Sequence, residues 1–166
     1  MKKYFLAIIL ISAWVSQPGM AGLSPAPAPD INVATRDGNF KLSDYQGQVV
    51  YLDFWASWCI PCRKSFPWMQ KIQQKYRDLG LKVIAVNLDK QRKLADVFLK
   101  NFNVDFTIGF DPVGDSARAY QLKGMPSSYL IGRDGKLYAS HIGFRAKDTA
   151  KLEQAIKALL KQEPVQ

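Results

Sequence analysis

Cys59 and Cys62 are the only cysteines in 166 residues, and they stand three apart in Trp58-Cys59-Ile60-Pro61-Cys62. The segment begins where an apolar run, Val49-Val50-Tyr51-Leu52-Asp53-Phe54, ends. Beyond it Phe66, Met69, Ile72 and Tyr76 recur at spacings of three and four, the signature of one face of a helix. The pair is therefore expected at a helix start, where unpaired backbone N–H groups and the positive end of the helix dipole favour a thiolate over a thiol. Cys59 would then be a nucleophile. Cys62, one turn deeper on the same side, is spaced to attack a mixed disulfide formed at Cys59 and resolve it.

Other uses of two sulfurs fit less well. A purely structural bridge would close only four residues and contribute about 2 kcal/mol on the chain-entropy formula, less than any distant pairing. Covalent haem attachment requires a histidine directly after the second cysteine, and Arg63 stands there. Zinc requires four ligands, whereas the chain offers two cysteines and a single histidine, His141, far along the sequence. Copper(I) suits soft thiolates helped by a thioether such as Met69 or Met125, so a copper carrier stays open as the alternative to redox chemistry.

The elements that must position the pair follow from pattern. Composition, 48% hydrophobic and 22% charged, is that of one globular domain. The first 21 residues read as a secretory signal: Lys2 and Lys3, the apolar run Tyr4 to Val15, then Gly19-Met20-Ala21 at a cleavage site. As a helix that run rises about 18 Å against a hydrocarbon core of about 30 Å, which favours cleavage over anchoring. Residues 22–30 are a Pro/Ala-rich extended leader, and 31–166 form the folded domain. Export implies a periplasmic or otherwise extracytoplasmic bacterial compartment, with membrane association if the signal is kept. The net charge of +9 is scattered over several segments and forms no stripe, so no nucleic-acid partner is expected.

Within the domain, Arg36-Asp37-Gly38-Asn39 turns a small hairpin over 31–42, and the run at 49–54 is a buried strand. A helix over 62–79 ends at Gly80, and a strand follows at 81–88. A second helix carries Leu94, Val97, Phe98 and Phe102, then come a strand at 106–110 and a helix at 115–122. Strands at 127–131 and 136–141 are joined by Arg133-Asp134-Gly135. A terminal helix faces Leu152, Ile156, Leu159 and Leu160 to the core. Alternating strands and helices closed by a hairpin and a helix make an α/β sandwich with a mixed sheet.

The stretch Leu52-Asp-Phe-Trp-Ala-Ser-Trp-Cys-Ile-Pro-Cys-Arg-Lys64, with Pro67 and Gly124-Met125-Pro126, resembles the thioredoxin superfamily. The export signal and the extra segment at Asp89 to Gln121 resemble its TlpA/ResA branch of extracytoplasmic thiol-disulfide oxidoreductases. The resemblance implies a three-layer α/β/α sandwich with a central mixed sheet and an inserted helix-containing segment. It also implies a redox disulfide between Cys59 and Cys62, no cofactor, protein disulfide substrates and a membrane electron donor of the thiol-disulfide relay type. No oligomerisation element is visible, so a monomer is expected. By the same resemblance Asp53 is an acid buried beneath the site that assists proton transfer from Cys62, and Pro126 is cis. Met125 then offers backbone groups to an extended substrate, and Trp58 an apolar shelf, while Trp55 packs in the core. His141, with no acidic or cysteine neighbour in sequence, reads as a structural residue. Ile60-Pro61 lacks the histidine that stabilises the thiolate in strong oxidants, which points to a disulfide reductase, with an oxidising or isomerising enzyme as the alternative. Cytochrome-c-maturation relatives place an acid after the loop proline, where Ser127 and Ser128 stand here, so a dedicated role in that pathway is not implied.

Overall fold

A computed structural model of the chain describes residues 25–163. Every residue of Val49–Trp55 is buried, as a continuous apolar run flanked by strands on both sides requires. This strand, β3, follows a short hairpin of β1 (Asn32–Ala34) and β2 (Asn39–Lys41). It is followed by β4 (Leu81–Asn87), β5 (Thr107–Phe110), β6 (Ser127–Ile131) and β7 (Leu137–Ile142). All seven join one sheet in the order β2-β1-β5-β4-β3-β6-β7. β3 runs parallel to β4, and β4 to β5; every other pairing is antiparallel. The α-helices are α1 (Ile60–Tyr76), α2 (Arg92–Leu99), α3 (Asp115–Ala119) and α4 (Thr149–Leu160).

Alternation along β3 sorts the side chains between two cores. Val49, Tyr51 and Trp55 face a cluster with Cys59, Cys62, Phe66 and Met69 of the α1 segment, Phe98 of α2, and Ile156 and Leu159 of α4. Val50, Leu52 and Phe54 face the opposite cluster, closed by Ile31, Phe40, Leu42, Tyr120 and Tyr129. The result is the thioredoxin-like three-layer α/β/α sandwich expected, with α2, β5 and α3 as the inserted segment. Its second helical layer is thin, built from α3 and a 3₁₀ turn at Leu42–Tyr45.

Three local expectations change. α2 ends at Leu99 and buries Ala95 and Phe98, while Leu94 and Val97 are exposed, because only the Phe98 side meets Trp55 and Phe66. α3 is one turn long and stops at Tyr120, after which Gln121 takes a left-handed φ of 50°. Residues 25–30 are extended but not contact-free: Ala28 N–H donates to the Gly135 carbonyl, Leu137 N–H to that of Ala26, and the Tyr120 hydroxyl to that of Pro29. The leader is thereby pinned to the β6–β7 hairpin. The segment read as a secretory signal lies outside the described residues. Among those, no helix is long and apolar enough to cross a membrane.

Candidate active site

α1 starts where the cysteines predict. Cys59 is its N-cap residue, and its sulfur accepts the backbone N–H of Cys62 at 3.3 Å. That N–H is one of the donors a helix start leaves unpaired, so the sulfur sits where negative charge is best tolerated. Pro61 occupies the first turn, where a missing N–H costs nothing. Cys59 and Cys62 are joined by a disulfide, with Cα atoms 5.3 Å apart. Cys62 is fully buried and Cys59 is 4% exposed, so the only sulfur a partner can reach is that of Cys59.

The loop before the pair is held by an acid that sequence reasoning missed. Asp89 is buried just past β4, and its two oxygens accept Ser57 N–H and Ser57 O–H, each at 2.9 Å, and the Asn87 side-chain amide at 2.8 Å. Arg63 reaches the Ser57 carbonyl at 3.4 Å and lies over the Phe98 ring. The available signal was an acid right after a strand-like run, at the level of the strand end that feeds the cysteines. Asp89→Ala leaves the Ser57 N–H and the Asn87 amide unpaired, which is expected to cost about 1–3 kcal/mol. A urea titration of the oxidised protein should show a lower midpoint at unchanged slope. An unchanged midpoint would mean that the loop is held by other contacts.

Asp53 is 1% exposed and lies on β3 between Tyr51 and Trp55, on the face that carries both cysteines. Its Oδ2 has no hydrogen-bond partner, and burial pushes its carboxyl well above the ordinary carboxylate range. The same burial raises the Tyr51 phenol, with the neighbouring Asp53 charge adding to it.

The two tryptophans divide as expected. Trp55 is fully buried against Phe66 and Phe98, and Trp58 is 68% exposed beside Cys59. Ile60, next to Cys59 in the chain, and Ile142, paired with Ser127 beside the cis proline, are exposed too; neither was singled out from sequence, since isolated isoleucines read as core. The Met125-Pro126 bond is cis, and the Pro126 carbonyl accepts Gly143 N–H at 2.7 Å. Met125 packs against the cluster that holds the cysteines. Met69, the other thioether considered as a copper ligand, lies seven residues beyond Cys62 on α1, about 10 Å along the axis.

Residues 25–140 match the AhpC/TSA family. The thiol-disulfide oxidoreductase ResA of Bacillus thuringiensis subsp. konkukian (strain 97-27) is 32% identical over 133 residues, covering 80% of this chain and 76% of that protein. A crystal structure from Chlorobium tepidum, of a protein assigned as thiol:disulfide interchange protein DsbE, shares 51% identity at a TM-score of 0.80, covering 82% of this chain and 96% of that one. A solution structure from Bacteroides thetaiotaomicron, of a protein assigned as a protein disulfide isomerase, shares 31% identity at a TM-score of 0.76, covering 83% and 90%. Sequence kinship and fold agree with a disulfide seated on a helix N-terminus: the chain belongs to the AhpC/TSA family of thioredoxin-fold proteins and is a thiol-disulfide oxidoreductase of the ResA and DsbE type.

Proposed function

We propose that the protein is an extracytoplasmic disulfide reductase, which passes electrons from a membrane thiol donor to disulfides of other proteins. The observation that carries this reading is the Cys59 sulfur at the N-cap of α1, hydrogen-bonded by Cys62 N–H. In the reduced protein the Cys59 thiolate attacks one sulfur of a substrate disulfide and expels the other as a thiolate. Asp53, once it has given up its own proton, takes the Cys62 thiol proton. Cys62 then attacks the Cys59 sulfur and releases the second substrate sulfur, so two electrons leave the chain as its own disulfide closes. An extended substrate segment would lie along Met125 and Pro126, with Trp58, Ile60 and Ile142 as the apolar surface beneath its side chains.

The direction of flow follows from what stabilises the thiolate. Ile60 and Pro61 supply no donor, so the helix N-terminus acts with little help. Asp53 has no cationic partner, and burial keeps its proton on, so it brings no positive charge to hold a thiolate at the sulfurs. A poorly stabilised reduced state makes a reducing couple. Equilibration with glutathione is expected to place the potential closer to the thioredoxin value of about −270 mV than to the DsbA value of about −120 mV. A potential near the latter would overturn the assignment in favour of an oxidase.

A further inference from the structure

A buried carboxyl that serves Cys62 in both half-reactions has to regain or lose its proton between them, and nothing in the site described so far connects Asp53 to water. Strand register supplies a connection. Asp53 on β3 is paired with Ser128 on β6, and Ser128 with His141 on β7. Directly opposed residues of an antiparallel pair share a face, with Cβ atoms about 4.5–5.5 Å apart. The three side chains therefore form a row across the sheet, from the strand under the disulfide to the edge strand.

We infer that Asp53 exchanges its proton with solvent along this row, through Ser128 to His141, which is the outer end of the path. The inference rests on the reading of Asp53 as the proton partner of Cys62. A cavity of about 410 Å³ between the sheet and α4 is lined by Tyr51, Ser128, His141 and Asp148 together with apolar Leu152 and Ile156, room for several waters beside its polar groups. Asp53 Oδ2 and His141 Nε2, at the two ends of the row, are both buried without a hydrogen-bond partner among the described residues. Buried polar atoms are normally satisfied, by water where protein does not serve, so His141 Nε2 points to an occupant of this cavity, while Asp53 lies outside its lining and reaches it only through Ser128.

The chemistry at each station suits transfer. The Ser128 hydroxyl, which lies against the Tyr51 phenol, can accept a proton from the Asp53 carboxyl while giving up its own. His141 is the only side chain of the row whose ordinary pKa lies near neutrality. Its ring is a quarter exposed, and Nε2 lies 3.6 Å from an Asp148 carboxylate that Arg145 grips at 2.7 Å. Arg145 holds that carboxyl below its usual range, so Asp148 stays charged and gives the row a fixed acceptor beside its outer end. One proton leaves the Cys62 thiol, crosses Asp53, Ser128 and His141, and reaches water; the electron pair stays on sulfur and enters the new S–S bond.

Stopped-flow oxidation of the reduced protein by glutathione disulfide tests this over a range of pH in dilute buffer. His141→Phe and Ser128→Ala are each expected to slow formation of the intramolecular disulfide about tenfold or more. Added imidazole should restore the His141 variant. In an Asp53→Asn background the His141 substitution should have no further effect. His141→Gln, which keeps a polar side chain of similar reach, should behave like His141→Phe if titration matters, and like wild type if the residue only fills space. Wild-type rates and pH profile in both Ser128→Ala and His141→Phe, or slowing by His141→Phe that is additive with Asp53→Asn, would overturn the relay. Should Asp53→Asn itself keep the wild-type profile, the role given to Asp53 falls, an outcome distinct from failure of the row alone.

Discussion

Cys62→Ser is expected to arrest the protein as a mixed disulfide at Cys59. A hydroxyl cannot displace sulfur from a disulfide at neutral pH, so the first attack proceeds and the second does not. The helix start survives the change, because the bond to the Cys59 sulfur comes from the backbone N–H of residue 62 and not from its side chain. Burial supports the roles proposed: Cys59 retains 4% exposure and Cys62 none, so the incoming disulfide is expected to meet only the former. Multiple turnover should fall by about a thousandfold or more, while the first attack stays within a fewfold of wild type. Cys59→Ser, in contrast, should abolish both phases. Mass spectrometry of the non-reduced adduct with a disulfide-containing peptide reads the trap directly. Free release of product from Cys62→Ser at the wild-type rate would assign resolution to another thiol.

A second large effect is expected on stability, and it opposes the activity. Asp53 unfolded releases its proton near pH 4, at about 3.9, whereas burial holds the proton on the folded protein to a much higher pH. Between those two ionisations the native state binds one proton more than the unfolded state. The contribution of this group to stability is therefore complete at acid pH and declines as pH rises, by about 1.4 kcal/mol per unit, until the folded carboxyl itself ionises. Asp53→Asn removes that slope. The oxidised variant should match wild type most closely near pH 4 and outlast it increasingly toward pH 8, while resolving mixed disulfides more slowly. Any cost of burying an amide shifts the variant equally at every pH and leaves the slope as the diagnostic. Urea denaturation of both oxidised proteins across this range makes the comparison. Parallel stability curves would mean that Asp53 is ionised in the folded protein at neutral pH, contrary to its unpartnered burial.

The cysteine site was legible because its cause is local. Two sulfurs at a helix start interact with backbone donors within one turn, and the boundary between the apolar run and the 3.6-residue pattern marks that start. Asp53 was harder. A strand buried on both faces shows no alternation, so Leu52 and Phe54 told of burial without telling which core the acid enters. The answer came from Tyr51 and Trp55, whose partners lie on α1 and α2. α2 misled for a related reason: Leu94, Val97, Phe98 and Phe102 share a helical spacing, but only Phe98 and Phe102 meet the Phe66 ring of α1, and which stripe is buried depends on where α1 lies.

The chain's own order of residues determined the fold class, the buried strand feeding α1, and the reactive pair at its N-terminus, since propensity, periodicity and backbone polarity act between near neighbours. Tertiary structure alone decided that Asp89 grips Ser57, that residues 26–28 dock on the hairpin, and that Asp53, Ser128 and His141 line up across three strands. Those groups are tens of residues apart. Their proximity is set by strand register, and register emerges only when every strand has chosen its neighbours.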